Sequence, residues 1–69
     1  MPWSFGNYPS SMKNLPPAVR EKAIEIANAL LDEGYADGMA IRIAIAQAHR
    51  WAARHADELA PQERGRALP

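Results

Sequence analysis

"AIRIAIAQAHRWAARH", residues 40–55, is the stretch that decides the fold. Its first half alternates Ile41, Ile43 and Ile45 against Arg42, Ala44 and Ala46, the period of a half-buried strand. The second half breaks that period, because a strand requires apolar side chains at positions 47 and 49 and the chain supplies Gln47 and His49. A helix begun at Ile41 instead collects Ala44, Ile45, Ala48, Trp51, Ala52, His55 and Leu59 at three- and four-residue spacings, in an alanine-rich segment of high helix propensity. The stretch therefore reads as helix, from about Asp37 to about Leu59. Ile41 and Ile45 then face a core with Ala48 and Trp51, and Ile43 stands apart, beside Arg50 and Arg54.

The segment upstream supplies the partner helix. A residue before proline is driven out of the α region while proline fits the first helical position, so Pro16-Pro17 marks a start at Pro17. From there Val19, Ala23, Ile26 and Leu30 recur at spacings of four, three and four, with Ile24, Ala27 and Leu31 along an adjacent line. The reading is a helix over about 17–33 with one broad apolar face; Glu21, Lys22, Glu25, Asp32 and Glu33 fall mainly on the solvated side. Gly34 stands where a left-handed residue closes a helix, Tyr35 follows as the fold-back position, and Asp37 reads as the N-cap of the next helix. A connection of about three residues makes a tight helical hairpin or a helix-turn-helix angle.

Residues 1–15, "MPWSFGNYPSSMKNL", mix Trp3, Phe5 and Tyr8, three of the five aromatic residues, with turn formers. Two helices lack bulk without them, so this irregular arm is expected to lie ordered across the helices; the alternative is a homodimer that pairs the apolar faces as a four-helix arrangement. A single helical turn over Pro9–Lys13, capped by Ser10 or Ser11, is expected within it. Pro61 limits the second helix, and "PQERGRALP" reads as a flexible tail. The organisation is thus all-α, one small domain over 1–60 followed by a tail over 61–69.

At 69 residues there is room for one core, burying about 60% of the unfolded surface. With no cysteine, disulfides and thiolate metal sites cannot supplement it, and a reducing cytoplasm is the expected setting. No apolar run approaches the ~18 residues that span a membrane, and the N-terminus lacks the basic and apolar segments of a secretion signal. Formal net charge is zero, so no whole-surface attraction draws the chain to nucleic acid or anionic lipid.

Catalytic, cofactor and metal chemistry find little footing. His49 and His55 are six apart and fall on different helix faces, His55 on the apolar stripe as a core or helix-end histidine does, so no metal is expected. Ser10 and Ser11 have no fixed neighbouring base. Pro2, if exposed by loss of Met1, would offer a secondary amine like that of some small tautomerases, but those continue into a strand, which "WSFGNYP" with Gly6, Asn7 and Pro9 does not make. No cofactor and no enzymatic activity are expected.

The candidate interaction surface is the outward side of helix two: Arg42, Ile43, Gln47, Arg50 and Arg54, in a segment without an acidic residue between Met39 and His55. A protein partner, or a second copy of the chain, is the favoured ligand. Duplex DNA is the alternative, with helix two as a recognition helix. Against it stand the zero net charge, the absence of a third helix, and Leu30 where a small residue usually sits four before the turn glycine.

The string "MPW" followed by "YPSSMKNLPPAVREKAIEIANALLDEGYADGMAIRIAIAQAHRWA" resembles the N-terminal module of the YdaT-like small bacterial proteins over residues 1–52, most specifically in "YPSSMKNL", "VREKAIEIANALLDEGY" and "AIRIA". A fainter likeness, in the Pro9–Pro16 segment and the alanine-rich end of helix two, connects it to ChaB-like proteins, labelled cation-transport regulators; the short hairpin turn here lacks their long charged insertion. The YdaT-like family has no assigned activity, so the resemblance carries over no catalytic residues. Some members bear a further C-terminal domain, and the expectation here is that the small module acts by itself. The expected role is that of a non-catalytic interaction or regulatory module, with a stress-related role as one version of it.

Overall fold

The computed structural model describes residues 2–56, and over that span the chain is all-helical: a 3₁₀ turn at Ser10–Met12, α1 at Pro17–Asp32 and α2 at Asp37–Arg54. Pro17 opens α1 directly after Pro16, whose ψ of 151° is the extended value that a residue preceding proline adopts. The helix closes one residue earlier than its spacing suggests, with Glu33 as C-cap. Gly34 follows at φ 101°, donates its N–H to the Leu31 carbonyl at 3.0 Å, and lets the Tyr35 N–H reach the Leu30 carbonyl at 3.1 Å. That pair of bonds is the Schellman closure, whose left-handed position glycine fills without the strain a Cβ brings. Tyr35 folds back through its backbone; its side chain stays exposed.

Asp37 is not the N-cap of α2. Ala36 holds that extended position and Asp37 is the first helical residue, with no side-chain capping bond. Gly34 and Tyr35 are consumed in closing α1, which leaves Ala36 to make the reversal; the Asp37 carboxylate acts as a first-turn charge on the helix N-terminus instead. Arg54 complements the other end. α2 ends there, because His55 leaves the helical conformation at φ −112°, ψ 26°, although Ala56 is again helical. Residues 57–59 and the expected tail at 61–69 lie outside the described residues. The 3₁₀ turn also lacks its serine cap: Pro9 is the N-cap, and the turn is held by Met12 N–H to the Pro9 carbonyl and Lys13 N–H to the Ser10 carbonyl.

The helices meet through small residues. Ala23 and Ala27 of α1 and Ala44 and Ala48 of α2 are fully buried, beside Val19 and Ile24. Alanines let two helix backbones approach closely and lose no side-chain entropy, but each buries little apolar area. The deficit is filled from outside the hairpin. Met12, projected by the 3₁₀ turn, is the largest fully buried side chain, and Trp3, Tyr8 and Leu15 pack around the same cluster with Ile26, Ile41, Ile45 and Ala52.

Two polar side chains of α1 secure the arm. Asn28 is 4% exposed; its Nδ2 donates to the Trp3 carbonyl at 2.9 Å and its Oδ1 accepts the Trp3 N–H at 3.2 Å. The buried amide thereby satisfies backbone groups that would otherwise lose hydrogen bonds to water. Arg20 donates from Nε to the Met12 carbonyl (3.1 Å) and from one terminal nitrogen to the carbonyls of Lys13 (2.9 Å) and Leu15 (2.8 Å). Its guanidinium also lies over the rings of Tyr8 (4.8 Å) and Phe5 (5.7 Å). A cation in the first turn of a helix opposes the helix dipole; three carbonyls and two aromatic faces offset that cost. Beyond this anchor, Ser4 and Asn7 exchange backbone hydrogen bonds (2.9 and 3.0 Å) in a tight reversal with Phe5 at its tip.

Candidate interaction surface

Gln47, Arg50 and Arg54 recur at spacings of three and four, so α2 carries them along one edge. Across from them α1 presents Lys22 and Ile26, and Trp51 closes the end. Together these six side chains line a groove of about 390 Å³. Ile26 and Trp51 contribute apolar surface to it, and Lys22, Gln47, Arg50 and Arg54 contribute hydrogen-bond donors and positive charge.

Lys22 connects the two helices electrostatically. Its Nζ stands 3.0 Å from Glu25 Oε1 and 5.4 Å from the centre of the Trp51 ring. The ion pair is largely exposed and contributes little stability; its effect is to hold the ammonium over the indole face. Trp51 packs in turn against the His55 ring, with centroids 5.3 Å apart and planes tilted by 36°. The indole is thus in contact with a cation and an imidazole.

The other expected surface residues lie elsewhere. Arg42 is exposed, but at 100° per residue it sits roughly 80–140° around the helix from Gln47, Arg50 and Arg54 and does not line the groove. Ile43 shares their edge one turn before Gln47; it is half-buried, outside the groove and outside the side chains packed on the core. Lys22, Ile26 and Trp51 escape a reading of the sequence, the first because it falls among solvated charges and the other two because they fit the apolar stripes. Their place in the groove depends on how the two helices face each other.

On the far side of Lys22 a second and larger cleft, of about 600 Å³, opens between the arm and α1. Trp3, Phe5 and Trp51 wall it, Ile24 lies at its base, and Glu21 and Glu25 stand at its rim. The two clefts share Lys22 and Trp51 but differ in balance of charge: one adds Arg50 and Arg54, the other Glu21 and Glu25.

Over 52 residues, 75% of its length, the chain is 60% identical to the uncharacterised protein YdaT of Bacillus subtilis (strain 168). Over that span the chain is YdaT-like. The chain spans about a third (35%) of that relative's length, so a YdaT-like module is what the two have in common. No protein-family model matches the chain, and no solved structure does. The fainter ChaB-like likeness has no counterpart in these comparisons. Among the described residues of the YdaT-like module, no helix is long and apolar enough to cross a membrane.

Proposed function

We propose that the chain is a non-catalytic interaction module whose working surface is the basic groove on the edge of α2, and that its ligand is an acidic segment of a protein partner. The observation that carries this reading is the convergence of Arg50 and Arg54, one turn apart on α2, with Lys22 from α1 in one groove beside Ile26 and Trp51. Cations contributed by two packed elements keep their spacing without the ordering cost of a flexible cluster. Arginine and tryptophan are also the side chains that most often dominate protein interfaces, because each joins a polar contact to a large apolar one. A regulatory role, stress-related in one version, is compatible with such a module and follows from the partner's identity.

Duplex DNA remains the second reading, supported by the absence of acidic residues between Met39 and His55. It is disfavoured because Glu21 and Glu25 lie just across Lys22, where they repel a phosphate backbone, and because the net charge is zero. Arg42, the remaining cation of the proposed recognition helix, lies off the groove. A second copy of the chain is the alternative protein ligand.

The experiment compares the wild-type chain with the Arg50→Glu, Arg54→Glu variant as baits in a lysate of the source organism. A protein retained by the first and lost with the second supports the reading; identical retained sets contradict it. Duplex DNA titrated at low and moderate salt tests the second reading, which requires steeply salt-dependent binding abolished by the same variant. Size-exclusion chromatography with light scattering separates monomer from dimer.

A further inference from the structure

The aromatic cleft between the arm and α1 has no part in the basic groove's proposed role, and its chemistry is the opposite. Three aromatic rings reach it from both ends of the described chain, Trp3 and Phe5 from the arm and Trp51 from α2. Phe5 is 53% exposed although it is a large apolar ring, and the Ser4–Asn7 reversal fixes it there. Ile24, 6% exposed, forms an apolar base. Glu21 and Glu25 are one turn apart on α1, so both carboxylates stand at the same mouth. Glu25 is engaged by Lys22, while among the described residues Glu21 has no ion-pair partner. Among the described residues the cleft is thus lined by two carboxylates against one ammonium, beside an aromatic wall.

The molecule already shows what such surroundings hold. Arg20 lies over Phe5 and Tyr8, and Lys22 lies over Trp51 with its ammonium on Glu25. In each case a cation with an aliphatic stem rests on an aromatic face, and in the second a carboxylate completes the set. Attraction to the ring quadrupole and burial of the stem act together in that arrangement.

We infer that this cleft is a receptor for an arginine or lysine side chain carried on an extended segment of a partner protein. The stem lies against Ile24 and the tryptophans, and the charged head reaches Glu21 at the mouth. The two carboxylates disfavour acidic segments, which the groove across Lys22 prefers. The inference stands independently of that groove.

The test titrates the full chain with a capped arginine-glycine repeat peptide, and with the same peptide carrying citrulline in place of arginine. The indole N–H resonances of Trp3 and Trp51 are followed by heteronuclear NMR. The arginine peptide is expected to shift both signals saturably and to bind at least about fivefold more tightly than the neutral one, the contribution of a cation on an aromatic, carboxylate-rimmed site. Glu21→Gln with Glu25→Gln, exposed positions whose exchange leaves the core intact by circular dichroism, should abolish that difference, and Phe5→Ala should weaken binding; Arg50→Glu with Arg54→Glu should retain it. No response at millimolar arginine peptide, an equal response to citrulline, or undiminished binding by the glutamine variant overturns the proposal.

Discussion

The side chain of Asn28 pairs with the main chain of Trp3 much as one strand pairs with another, donating to its carbonyl at 2.9 Å and accepting its N–H at 3.2 Å. This contact spans 25 residues and ties the arm to the C-terminal half of α1. It fixes the position of Trp3 and Phe5, and with them one wall of the aromatic cleft.

Asn28→Ala removes both partners from partly buried backbone groups, and the expected loss is about 1–3 kcal/mol of stability. Urea unfolding measures it. Asn28→Asp keeps the acceptor but loses the donor, so its stability at neutral pH should fall below wild type, with faster amide exchange at Trp3. Unchanged stability in both variants contradicts the anchoring role.

Arg20→Lys tests the second anchor. One ammonium cannot reproduce a planar donor set directed at three carbonyls and stacked on Tyr8 and Phe5, so the substitution should cost about 1–2 kcal/mol although charge is kept. The loss should appear as a lower urea midpoint with exposure of the arm to limited proteolysis.

In the core, Met12→Ala should cost about 2–5 kcal/mol, since it empties the largest fully buried side chain against alanines that cannot close the gap. Ala44→Leu should destabilise for the opposite reason, by about 1–3 kcal/mol, because the helices would have to separate. Thermal unfolding of both variants checks the pair of signs.

Gly34→Ala meets open space around the added Cβ, yet the residue must hold φ 101° to make the Schellman closure. The expected cost is about 1–2 kcal/mol from backbone strain alone. A neutral result would mean that α1 closes in another way.

The hairpin was legible because periodicity and punctuation agree: Pro16-Pro17 opens α1, Gly34 closes it, and the failure of alternation at Gln47 and His49 makes residues 40–55 a helix. The arm was legible only in outline. Trp3 and Tyr8 imply that it packs, but the residues that hold it, Asn28 and Arg20, look like an interruption of an apolar stripe and one more surface charge. A polar side chain set among Ile24, Ala27 and Leu31 was the available signal for a buried hydrogen-bond partner. Of the candidate surface, the spacing of Gln47, Arg50 and Arg54 already placed them on one edge. That Lys22 would join them, while Arg42 would not, depends on the angle at which α1 and α2 meet, and sequence spacing within one helix carries no information about it.

The basic groove is tested most directly by a heteronuclear NMR titration of the full chain with a capped peptide of alternating glutamate and leucine. Saturable shifts centred on Gln47, Arg50, Trp51 and Arg54 are expected, abolished by Arg50→Glu with Arg54→Glu and matched by no comparable response to duplex DNA at moderate salt. Shifts that fall elsewhere, or that survive the double reversal of charge, would contradict the groove's proposed role.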